Sequence, residues 1–96
     1  MRSTTIRKFR HRGLERFFSK GANTGIQPTH ANRLRLILGR LNASTGPNDM
    51  NLPGLYLHAL EGRQSGRWSV RVSGNWRGTF RFDGPDATDV DYEDYD

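Results

Sequence analysis

His58, Arg67, Arg71, Arg77, Arg81, Asp94 and Tyr95 are the residues of this 96-residue chain whose types and spacing suit chemistry on a phosphodiester. An imidazole titrates near neutrality, so His58 can serve as either acid or base. Arginine presents a planar fork that grips phosphate oxygens in pairs. Cleaving RNA through its own 2′-hydroxyl needs a base for that proton, an acid for the leaving oxygen, and cations where charge builds at phosphorus. Each residue alone is a weak signal, and a solvated face of paired charges would contain the same set. His11 and His30 are expected at the surface, Asn75 in a turn, and Phe17 and Phe18 in the core. The three histidines are scattered without metal-ligand spacing, and no phosphate-loop, zinc-protease or serine-nucleophile pattern is present.

Charge points the same way. Of 15 Lys and Arg, 13 are arginine, and all 15 lie in residues 1–82 with only Glu15, Asp49 and Glu61 against them. Residues 83–96 carry seven acids and no base. The body is therefore a candidate binder of polyanions. There is no cysteine, which excludes disulfides and thiolate metal sites and fits a reducing compartment. No run approaches the roughly 18 apolar residues of a membrane span, and the basic N-terminus lacks a signal peptide's apolar stretch. The expectation is one soluble, cytoplasmic domain over residues 1–96.

The elements that must position these groups follow from periodicity. Thr4 to Phe9 reads as a short strand, and Gly13 to Lys20 as a helix with Leu14, Phe17 and Phe18 on one face. A second helix starts at Pro28 and runs through "PTHANRLRLILGRLNAST", with Ala31, Leu34, Leu38 and Leu41 facing the core, until Gly46 and Pro47 stop it. The period then changes to two. Leu55 to Leu60 is a strand. "RWSVRVS" sends Trp68, Val70 and Val72 inward and Arg67, Ser69 and Arg71 outward. "WRGTFRF" sends Trp76, Phe80 and Phe82 inward and Arg77, Thr79 and Arg81 outward. Ala87 to Tyr92 is the last strand, its acids facing the arginines. Gly78 occupies an inward position and predicts a gap or a bulge. The fold class is α+β, order β-α-α-β-β-β-β: two N-terminal helices on one face of a mainly antiparallel sheet of four to five strands.

The segments "FRHRGLERFF", "LPGLYLHALEG", "GRWSVRVSGNWRGTFRF" and "DVDYEDYD" resemble, in order and spacing, the HigB toxins of the RelE/ParE superfamily over nearly the whole chain. The resemblance implies a RelE-like fold and a type II toxin bound by a helix-turn-helix, HigA-like antitoxin. It implies an mRNA interferase that enters the ribosomal A site and cuts messenger RNA by 2′-hydroxyl attack, with ribosomal RNA beside it and no metal or cofactor. Operator DNA would be reached only through the antitoxin, and no membrane is involved. The family's histidine falls on His58, its phosphate-contacting arginine on Arg77, and its C-terminal acid and tyrosine on Asp94 and Tyr95, which become the expected catalytic residues. Arg63, Arg67, Arg71 and Arg81 are the expected RNA contacts.

The family pattern L-H-P-L-K-G is here "LHALEG", its terminal histidine is Asp96, and an inward aliphatic is Gly78. Two cations have thus become Glu61 and Asp96. In one reading Glu61 or Asp96 accepts the 2′-hydroxyl proton while His58 donates to the leaving group. In the other, the added negative charge cripples the site and leaves a homologue that binds antitoxin and RNA. A gyrase-directed, ParE-like toxin is the third alternative.

Overall fold

The computed structural model describes residues 6–94, so Thr4, Tyr95 and Asp96 lie outside the described residues. Helix α1, Arg12–Lys20, opens on His11, whose Nδ1 accepts the Leu14 N–H at 2.9 Å, and closes on Gly21 in the left-handed region (φ 74°). Glu15 in its first turn and Lys20 in its last oppose the helix dipole favourably. A 3-10 turn with proline in its first position, Pro28–His30, leads into α2, Ala31–Asn42. Leu34, Ile37, Leu38 and Leu41 of α2 are buried, and three- and four-residue spacing leaves Arg33, Arg35 and Arg40 on the other side. The helix stops before the predicted Gly46, because the Ser44 hydroxyl turns back to the Arg40 carbonyl at 2.7 Å and competes with the next helical bond.

Four strands follow, β1 (His58–Ala59), β2 (Trp68–Ser73), β3 (Trp76–Asp83) and β4 (Asp86–Asp94), in an antiparallel sheet of order β1-β2-β3-β4. The β2–β3 and β3–β4 connections are two-residue turns, and Gly74 (φ 56°) and Gly84 (φ 62°) supply the positive φ each needs. Val70, Val72, Phe80, Val90 and Tyr92 join the helical leucines, Leu14 and Phe17 in one core, so both helices cover one face of the sheet and leave the other open.

Further expectations change. Residues 6–9 make only isolated parallel bridges to β4, Ile6 to Ala87 and Phe9 to Val90, rather than a full strand. The reason lies in β4, where Asp89 adopts φ 53° and the register with β3 shifts between Thr79 and Arg81, a bulge that breaks any continuous ladder alongside it. The strand expected over Leu55 to Leu60 contracts to two residues because Tyr56 takes φ 52°, outside the extended region. His30 is buried, not superficial: the 3-10 turn directs its ring under the sheet, where Nδ1 lies 2.6 Å from the Tyr92 hydroxyl. Gly78 makes no bulge. It faces Tyr92 on β4 and Val70 on β2 in regular register. Among the described residues no helix is long and apolar enough to cross a membrane.

Candidate active site

Registers across the open face set the site in two rows. His58, Ser69, Thr79 and Asp91 stand side by side over the four strands. The adjacent row holds Arg71, Arg77 and Glu93. Alternation with period two puts both rows on one face, so His58 and the two arginines converge although 13 and 19 positions separate them in the chain. Tyr56, His58, Leu60, Ser69, Arg71 and Arg77 line a groove of about 570 Å3, a volume typical of small-ligand sites.

The loop before β1 is fastened to this row. The Leu55 carbonyl accepts the Arg71 N–H at 2.7 Å. Arg33 of α2 reaches over to donate from Nη2 to the Gly54 carbonyl and from Nε and Nη2 to the Arg71 carbonyl, the last two at 3.3 and 3.2 Å. The Arg71 side chain is thereby left facing the groove, with its guanidinium carbon 5.7 Å from the centre of the Tyr56 ring.

The remaining site candidates are placed elsewhere. Arg67 is 7% exposed, and its Nη2 donates to the Thr79 hydroxyl at 2.7 Å. Thr79, itself fully buried, passes the bond on to the Glu93 carboxylate at 2.9 Å. Burial pulls the Arg67 pKa below its ordinary value and Arg10 adds to the effect, while Glu93, Asp89 and Asp91 oppose it. Arg67 Nε and Nη1 have no hydrogen-bond partner among the described residues. A guanidinium sunk in this way is a strut under Glu93 and not a solvent-facing RNA contact. Arg81 lies past the bulge and donates to Asp89 at 2.7 Å, outside the groove. That bond holds the Asp89 carboxyl below its usual range. Glu61 and Arg63 are exposed on the turn after β1 and do not line the groove.

Asp94 is exposed and pairs in register with Trp76, so the residue opposite Arg77 is Glu93. Tyr56, Ser69 and Glu93 are the neighbours that sequence reading passes over. Ser69 and Glu93 share the outward parity of Arg71 and Arg77, which is the signal available for them. Behind the groove, Trp76 stacks on Tyr92 at 4.6 Å, and both rings meet His30, so the start of the strand carrying Arg77 rests on a buried aromatic cluster.

Fold and groove together define a small α+β domain with a cationic trough beside an imidazole, on a sheet face that the helices leave bare. The chain belongs to the HigB-like toxins, described as RelE-like toxins of type II toxin–antitoxin systems, whose family model matches residues 7–96. It is also 37% identical over 90 residues to Endoribonuclease HigB of Proteus vulgaris, a match covering 94% of this chain and 98% of that protein. Membership of a type II family implies an antitoxin as partner.

Proposed function

We propose that this toxin is a ribosome-dependent endoribonuclease that cuts messenger RNA in the cytoplasm by attack of a 2′-hydroxyl on the adjacent phosphodiester. The observation that carries the reading is the convergence of His58, Arg71 and Arg77 on one open groove. The similarity to a protein named as an endoribonuclease supports it. Arg77 and Arg71 hold the phosphate and offset the charge that develops on it in the transition state. His58 donates a proton to the departing 5′-oxygen, and a carboxylate near the C-terminus accepts the 2′-hydroxyl proton. In this reading Asp94 and Tyr95 are the further catalytic residues, as the resemblance implies. Glu61 does not line the groove, so the exchange of a cation for an anion there leaves the charged groups of the lining cationic. That favours an active toxin over an impaired one. A helix-turn-helix antitoxin silences it.

Cleavage of a defined messenger RNA in a translating extract tests the reading. Arg77→Ala removes a charge-assisted contact of about 1.5–3 kcal/mol, a loss of roughly 10- to 150-fold in rate. His58→Gln removes the proton donor, for which about 100-fold or more is expected. Cleavage by folded His58→Gln and Arg77→Ala proteins equal to the parent's removes both residues from the mechanism. Equal cleavage of the same RNA without ribosomes removes ribosome dependence, and loss of gyrase supercoiling without RNA cleavage selects the gyrase alternative.

A further inference from the structure

Tyr56 is 68% exposed, and with Leu36 of α2 it is one of two large hydrophobic side chains so open among the described residues. Its backbone is in the left-handed region, a conformation that a tyrosine keeps only where its surroundings impose it. They do so from both sides. Arg33 holds the Gly54 carbonyl, the Arg71 N–H holds the Leu55 carbonyl, and the Leu55 side chain is 1% exposed. The strained turn projects the ring over the groove two residues before His58, with a guanidinium against it. Were the ring only a cover for the Arg71 stem, its burial would accompany the contact. Instead most of it stays in water.

We propose that Tyr56 is a stacking platform for one base of single-stranded RNA, next to the phosphate held by Arg71 and Arg77. This rests on the RNA-cleaving reading above and adds the element that fixes the strand's register. Every base offers a π face, so an exposed tyrosine backed by arginine takes any of the four, and unpaired bases are the form of RNA most readily splayed onto such a ring. With the base docked at Tyr56 and its phosphate on the arginines, the linkage presented to His58 is defined by position along the strand and not by base identity.

The test uses the full chain carrying His58→Gln, so that RNA stays intact, titrated into single-stranded RNA oligonucleotides with 2-aminopurine placed at successive positions. The result expected is fluorescence quenching at one position. Tyr56→Phe retains quenching and affinity within about twofold, whereas Tyr56→Asn abolishes the quenching and binds roughly tenfold more weakly. Asparagine tolerates the left-handed backbone, so that variant should melt no lower than its parent. Tyr56→Trp, with a larger face, should quench and bind at least as well as tyrosine and keeps the test decisive if the Asn variant unfolds. Unchanged quenching in a folded Tyr56→Asn protein, or weaker binding by Tyr56→Trp, overturns the platform while leaving the groove reading intact. Equal losses in Tyr56→Phe and Tyr56→Asn overturn it in favour of a hydroxyl contact. Binding indifferent to Arg71→Ala with Arg77→Ala overturns the platform together with the phosphate clamp it rests on. No binding to the free oligonucleotides overturns the platform alone, because ribosome-dependent cleavage does not require it.

Discussion

Tyr92→Phe deletes one oxygen from the cluster beneath Trp76. That oxygen lies 2.6 Å from His30 Nδ1 and accepts the Gln27 N–H at 3.4 Å. Tyr92 is 4% exposed and His30 7%, so water has little access to replace it. The phenyl ring still fills the space and still stacks on Trp76, so no cavity forms. What remains is the cost of a stranded imidazole nitrogen, about 1–3 kcal/mol, while the long Gln27 contact contributes little. At about 4–8 °C per kcal/mol for a domain of this size, a loss of about 2 kcal/mol lowers the melting temperature by roughly 8–16 °C. Circular dichroism melts of parent and variant near neutral pH measure it. Alkaline pH supplies a second reading. Burial raises the Tyr92 pKa, with the Gln27 N–H partly offsetting it. The folded protein therefore keeps this proton more tightly than the unfolded chain. The tyrosine's advantage over phenylalanine is full below about pH 10, and it shrinks as pH rises beyond that value toward the folded pKa. A melting temperature for Tyr92→Phe within about 2 °C of the parent's, well under the shift that 1 kcal/mol gives, would refute the reasoning. So would a stability gap that stays constant through about pH 11.

Gly78→Ala should stabilise the fold by about 0.5–1 kcal/mol, because glycine weakens a strand interior. A Cβ there meets Val70 Cγ2 at 3.6 Å and the Asp91 carbonyl at 4.0 Å, ordinary contact distances. A fall in melting temperature contradicts this. Asp89→Asn keeps a residue type that tolerates φ 53° but removes the charge paired with Arg81. The lowered Asp89 pKa makes the parent's advantage, about 0.2–1 kcal/mol for an exposed pair, present above about pH 4 and lost as pH falls through the folded value. Urea titrations at neutral pH and about pH 3 should show the gap closing on acidification. Glu61→Lys should change cleavage by no more than roughly fivefold, the equivalent of an exposed charge worth about 1 kcal/mol. Strong activity appearing only when Glu61→Lys is combined with Asp96→His would instead establish the parent as an impaired homologue.

Alternation makes β2 and β3 legible because each strand has one buried face and one open face, and residue parity records which is which. His58, Arg71 and Arg77 emerge as groove residues for that reason alone. Parity does not record position along a strand or the partner opposite. Arg67 and Arg81 share the parity of Arg71 and Arg77, yet Thr79 and Glu93 draw one inward and Asp89 engages the other beyond the bulge. Left-handed φ at Tyr56 leaves no mark in residue type, and at Asp89 the mark is one that an outward acid on a paired strand carries equally, so a shortened β1 and a bulged β4 read as plain strands. The burial of His30 depends on a hydroxyl 62 residues away, which no local window contains.

The margins of the sheet have a consequence for assembly. One margin is β1, only two residues long before the chain turns away. Along the other, residues 7–10 occupy the Ala87 and Val90 carbonyls and the Val90 N–H, and the next outward donor, the Tyr92 N–H, is taken at 2.8 Å by the carboxylate of Asp91. Among the described residues neither margin offers a row of vacant donors and acceptors on which an incoming strand could template itself. Strand addition along either margin is thereby disfavoured, which guards an arginine-rich chain against growing edge to edge into fibres.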